Sequence, residues 1–217
     1  MRDPMLMLAL LVVAGCGPTT KSGGAAAQPE PVAGMQDDTV GVSLIPPGFG
    51  TLRQDDIAIK LQFEGVQVKL IPLDESVLRT LSPDSYRALR DLLESRQGQI
   101  TTMTNRRGIR HASVWYVSFF GLQPDVRFSP MEITITSSAR DFRPIELIPL
   151  SAGFGSQRLK QRETQSALYL FEDGINVEQP ITVNMGGVQN SSWDTTIRQI
   201  QRERALIRSR SSRTPAP

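Results

Sequence analysis

Few side chains in this sequence are of a type and spacing that could do chemistry. His111 is the chain's single imidazole, so any Ser-His-Asp triad would have to centre on it. No serine sits in a Gly-x-Ser-x-Gly elbow, and His111 lies beside Arg110 at the start of an apolar stretch. A surface or strand-edge position is expected there, not a general base. Carboxylates pair as sequence neighbours, among them Asp37-Asp38, Asp55-Asp56 and Glu172-Asp173. Neighbours on a strand point to opposite sides, so these read as solvated turn residues and not as an acid/base pair. Asp55-Asp56 and Glu172-Asp173 could hold a calcium ion, but they lack the spacing of a calcium loop. The two Gly-Phe-Gly turns, at Gly48 and Gly153, lack the third glycine and following helix of a phosphate cradle. A single cysteine excludes a disulfide framework and a cysteine zinc knuckle, and a single histidine excludes a histidine-rich metal site. The expectation is no catalytic residue, no metal and no cofactor: a protein that is not an enzyme.

The one patterned piece of chemistry lies near the N-terminus. Residues 5–14, MLMLALLVVA, are an unbroken apolar run. Ten residues at about 1.5 Å each reach roughly 15 Å, half of a hydrocarbon core, so this is the length of an export signal and not of a span. It ends in Val13-Ala14-Gly15-Cys16, which contains the only cysteine. This resembles the lipobox of bacterial lipoproteins: an aliphatic residue, two small residues, then a thiol that takes a diacylglyceryl group before cleavage. The resemblance implies a signal peptide at residues 1–15 and a mature chain beginning at Cys16. That cysteine would carry a thioether-linked diacylglycerol, with a third acyl chain, such as palmitate, on its new amino terminus. Several chains at about 0.8 kcal/mol per buried methylene hold a protein to a membrane where one chain would not. The residue after the cysteine is Gly17 and not Asp, which by the same resemblance favours the outer membrane over the inner one, facing either the periplasm or the outside. Lipidation also removes Cys16 from nucleophilic catalysis.

Anchors need tethers, and residues 16–39 (CGPTTKSGGAAAQPEPVAGMQDDT) supply one. They are rich in Gly, Ala and Pro with almost no large apolar side chain, so they cannot bury enough surface to offset ordering. Beyond them the composition is that of a folded domain. Of 217 residues 39% are hydrophobic, and the formal charge is only +2, which gives no field for nucleic acid. Ile57, Ile59, Leu61 and Phe63 alternate with polar Lys60 and Gln62, and Val66, Val68 and Leu70 alternate with Gln67 and Lys69. A two-residue Glu64-Gly65 loop would pair Phe63 with Val66, Leu61 with Val68 and Ile59 with Leu70 on one face. It would also set Lys60 opposite Lys69 on a wet face.

Residues 74–97 switch to helical spacing. A short helix is predicted over 75–81, then Ser82 as N-cap and Pro83 opening an amphipathic helix with Tyr86, Leu89, Leu92 and Leu93 on one stripe. Residues 112–120, ASVWYVSFF, are apolar on both faces and read as a central strand whose Trp115, Tyr116, Phe119 and Phe120 belong to the core. Further strands are expected near residues 131–136, 145–150, 165–171 and 176–183, the last two joined as a hairpin through Glu172-Asp173-Gly174. A Leu-Ile-Pro…Gly-Phe-Gly echo at 44–51 and 147–156 reads as a strand-ending turn used twice. The fold class is mainly β: an antiparallel β-sandwich or partly open barrel with one inserted amphipathic helix and a C-terminal helix. The β-rich globular domain covers 40–192, followed by a basic helix and tail at 193–217.

In that last segment Trp193, Ile197, Ile200 and Ile207 mark one helical face, and Arg204 falls inside it, so it must snorkel or find a carboxylate. Arg198, Arg202, Arg208, Arg210 and Arg213 read as a solvated face or as a docking surface for anionic headgroups, cell-wall polymer or an acidic partner. The sequence therefore points to a lipid-anchored envelope protein whose β-rich domain binds or supports other envelope components, without catalysis. Its expected partners are the membrane, through Cys16, and an envelope protein or cell-wall polymer, but not nucleic acid. The alternative is an envelope ligand-binding module for glycan or another small solute.

Overall fold

Alternating apolar side chains fold the first regular part of the chain into a hairpin. In the computed structural model, which describes residues 45–213, β1 (Ile59–Phe63) pairs antiparallel with β2 (Val66–Pro72). The register is the one that alternation requires: Phe63 to Val66, Leu61 to Val68, Ile59 to Leu70, with Lys60 opposite Lys69. Glu64 and Gly65 turn the chain with φ of 44° and 77°, both in the left-handed region that this two-residue loop demands. The described residues fall within the compact unit Gly41–Pro217. The signal at 1–15, Val13-Ala14-Gly15-Cys16, the tether at 16–39, Asp37-Asp38 and the last residues of the basic tail lie outside the described residues.

After β2 come α1 (Glu75–Leu78), capped by the Asp74 carboxylate accepting from the Ser76 amide at 2.8 Å, and α2 (Pro83–Arg107). Ser82 occupies the N-cap of α2, but its side chain makes no capping bond; Pro83 at the first position needs no acceptor. The helix runs ten residues past the helical spacing read from 74–97 and stops at Gly108, whose φ of 68° closes the C-cap.

Five strands form the larger sheet, in the order β1-β2-β3-β9-β7, with β3 (Ala112–Gly121) central as expected, β9 (Thr164–Glu172) beside it and β7 (Glu146–Pro149) at the edge. A four-stranded sheet runs β11-β10-β5-β6, built from β5 (Thr134–Ser137), β6 (Arg140–Phe142), β10 (Ile181–Met185) and β11 (Val188–Asn190). A small ribbon pairs β4 (Val126–Arg127) with β8 (Arg158–Leu159). Every ladder is antiparallel. The sheets do not close into a barrel. Where β11 comes beside β1, a side-chain bond from Asn190 Nδ2 to the Lys60 carbonyl, 2.7 Å, stands in place of a ladder.

The hairpin expected at Glu172-Asp173-Gly174 is corrected by this topology. β9 and β10 belong to different sheets, and the turn is a crossover. Gly174 permits it: at φ 118°, a Cβ there would come within 3.3 Å of the Phe142 ring on β6. The Asn176 amide then bonds Ser137 Oγ on β5, which ties the crossover to the second sheet.

Residues directly paired across antiparallel strands share a face. One face of the large sheet carries Leu61, Val68 and Phe119, then Ile59, Leu70, Val117 and Ala167, then Trp115 and Tyr169, all buried. Against it stack Phe128 on Phe119, with centroids 4.3 Å apart, and Trp193 on Trp115 at 6.4 Å. Trp193 opens the C-terminal helix α3 (Trp193–Ser211), whose Ile197, Ile200 and Ile207 are buried as their spacing predicts. The opposite face is covered by α2 along one half only, where Ile71, Leu168 and Ile148 are buried. The other half, toward Lys60, Lys69 and Phe120, is open. That division explains why β3 reads as apolar on both sides at its start.

Candidate functional site

The open half of that sheet face holds a polar cleft. Pairing sets its residues in two rows. Lys60, Lys69 and Ser118 lie side by side in one; Gln67, Phe120 and Thr164 lie side by side in the next. Strand spacing makes this a grid of about 4.8 Å across and 6.7 Å along. Like charges directly opposed across strands repel. Here the two ammoniums share one carboxylate, Asp55, on the single helical turn Gln54–Asp56: its Oδ1 lies 3.3 Å from Lys69 Nζ and 3.7 Å from Lys60 Nζ. Partial burial pushes the Asp55 carboxyl up, but the Lys69 and Lys60 ammoniums outweigh it and hold it below the ordinary carboxylate range. Ser118 is only 7% exposed, and its hydroxyl makes no hydrogen bond among the described residues while lining the cleft. Phe120 is half-buried, an apolar ring set among polar side chains. The cleft encloses about 270 Å³.

The sequence-predicted candidates distribute as follows. His111 is exposed, at the mouth of a cleft of about 350 Å³ between α2 and the adjoining ends of β2 and β3, together with Asp74, Asn105, Arg110 and Ser113. Two of these polar groups are engaged locally: Ser113 Oγ accepts from Trp115 Nε1 at 3.0 Å, and Asp74 caps α1. Asp55-Asp56 divides its duties, since Asp56 Oδ2 accepts from the Arg53 amide at 2.7 Å while Asp55 faces the lysines. Glu172 pairs with Arg140 at 2.9 Å. No group of three or more metal-ligating side chains occurs among the described residues. Of the aromatic group, Trp115 and Phe119 are core, Tyr116 is half-buried, and Phe120 lines the sheet cleft. The two Gly-Phe-Gly turns have different duties. Phe154 is buried against Phe119 and Phe128, whereas Gly50 lets the backbone press onto the Thr80 and Leu81 carbonyls, where a Cβ would lie 2.3 and 2.4 Å away.

On α3 the arginines split into two sets. Arg204 finds the carboxylate its position demands: it grips Glu178 with both Nη atoms at 2.5 Å and donates to the Ser76 carbonyl at 2.8 Å. That guanidinium holds the Glu178 carboxyl below its ordinary range, against the opposing effect of burial. Glu203 is buried and accepts from the Thr51 amide and hydroxyl, 2.9 Å each, and from Arg210 at 2.8 Å; Arg210 also reaches the Phe49 carbonyl at 2.7 Å. Arg198 pairs with Asp194 at 2.6 Å. Of the arginines read from the sequence as a solvated face or a docking surface, Arg202, Arg208 and Arg213 are exposed, as is Arg198 beside Asp194.

The sheet cleft was not singled out in the sequence, although two of its signals are there. Lys60 opposite Lys69 marks a wet face, and the register that follows places Phe120 on that same face. No helix among the described residues is long and apolar enough to cross a membrane. No family model matches this chain, and no curated protein or solved structure is detectably similar to it.

Proposed function

We propose that this chain is a lipid-anchored protein of the bacterial envelope, held at the outer membrane through Cys16, whose β-rich domain works by binding and not by catalysis. The observation that carries the reading is the chain's only cysteine, at the end of Val13-Ala14-Gly15-Cys16, behind ten apolar residues and ahead of a Gly/Ala/Pro-rich stretch. The role that follows is to present a folded domain a short distance from a bilayer, to an envelope protein or cell-wall polymer. Mass spectrometry of the native protein tests it. The expected product begins at Cys16 with two or three acyl chains added, and Cys16→Ser accumulates an uncleaved precursor that takes up no labelled fatty acid. An intact leader or an unmodified thiol overturns the reading.

A second reading is an envelope ligand-binding module for glycan or another small solute. It is favoured by the sheet cleft, where hydroxyl, amide and ammonium groups surround a half-buried phenyl ring. Recognition sites of small solutes combine such an apolar platform with a few placed polar groups.

A further inference from the structure

We infer that the open half of the large sheet binds an acidic sugar: a pyranose ring stacked on Phe120 with its carboxylate between Lys60 and Lys69. This rests on the ligand-binding reading and names its ligand class. Charge decides the acid. Two ammoniums share the single Asp55 carboxylate, which leaves one net positive charge on a face that their mutual repulsion disfavours. The pairs with Asp55 do not close the site, because the three side chains are 44%, 30% and 62% exposed and ion pairs so exposed are weak. A second carboxylate at the lysines neutralises that remaining charge. Lysines present point charges without the bidentate fork or amide nest that phosphate binding exploits, and one uncompensated charge matches a carboxylate better than a phosphate dianion.

The second row decides the sugar. Phe120 presents an apolar ring to the C–H face of a pyranose, and its cross-strand neighbours Gln67 and Thr164 flank it with an amide and a hydroxyl. Ser118 adds a hydroxyl that lines the cleft. These groups both donate and accept, as sugar hydroxyls require. The volume of about 270 Å³ lies just below the range of drug-sized sites and suits one ring.

Saturation-transfer NMR on the full chain in detergent micelles, titrated with sodium glucuronate, tests the assignment. Expected are saturable binding, the strongest transfer to protons on one sugar face, and binding at least about tenfold weaker for glucose and for sodium acetate. Lys69→Gln and Lys60→Gln weaken glucuronate by about tenfold. Phe120→Leu keeps apolar volume, loses the ring and weakens it by a similar factor, with the thermal midpoint of each variant monitored alongside. Absence of saturable glucuronate binding, or unchanged binding in both lysine variants, overturns the site. Glucose binding as tightly as glucuronate overturns the acid assignment while leaving the ligand-binding reading in place. The lipid anchor is read separately, by the mass of the mature chain.

Discussion

Glu64 holds a backbone conformation that its side chain does not suit. At φ 44° it occupies the left-handed region, where an L-residue with a full side chain is strained by about 1 kcal/mol or more, and Gly65 beside it bears the same conformation freely. The hairpin tolerates this because Leu61, Val68 and Val66 are all buried and fix the register. Asparagine accepts the left-handed region more readily, so Glu64→Asn is expected to raise unfolding stability by about 0.5–1 kcal/mol in urea titration. Ser138 and Ala139 make the same kind of turn between β5 and β6 with φ of 50° and 60°, here without a glycine. That explains why β6 is hard to see in the sequence: its turn lacks the residues by which such turns are recognised.

Helix α2 carries a comparable compromise. Gly98 lies mid-helix and exposed, and a Cβ added there would meet no atom within 4 Å. Gly98→Ala is therefore expected to stabilise the protein by about 0.5–1 kcal/mol, read as a shift in the urea midpoint at unchanged slope. Gly98 and the threonines that follow it also hid the last three turns of α2 from a reading based on periodicity. Ile100 and Thr104 are buried there, so packing holds a helix that propensity alone would end. The hairpin of β1 with β2 was legible down to the register, because its partners are adjacent in sequence and its turn carries a glycine. So was the buried face of α3, even with Arg204 set inside its apolar stripe. The crossover after β9 was not, because Glu172-Asp173-Gly174 satisfies a hairpin turn locally and only contact with Phe142 and Ser137, more than thirty residues away, directs the chain to the other sheet. The candidate cleft was half legible. Lys60 and Lys69 are paired by a local turn, but their rows reach Ser118, Phe120 and Thr164 only through the ladders of β3 with β2 and β9.

At the scale of the molecule, buried charge joins parts distant in sequence. Arg204 connects α3 to α1 through the Ser76 carbonyl and to the loop before β10 through Glu178. The folded protein holds the Glu178 carboxyl below the unfolded value, so this linkage is fully present above about pH 4.3 and is lost as pH falls through the folded-state value. Stability to urea is expected to drop as the pH is lowered below about 4.3, and Glu178→Gln, already weaker at pH 6, is expected to flatten that dependence. An equally steep fall in the variant would remove Glu178 from the account. Asp55 and Asp125 are lowered in the same sense, by lysines and by Arg158, but both are exposed and contribute less.

The bonds that tie Phe49 and Thr51 to Glu203 and Arg210 have a mechanical meaning. Tension arriving along the backbone from the N-terminal side meets this latch, and the bond from Arg79 Nη1 to the Ile45 carbonyl just ahead of it, before it reaches β1.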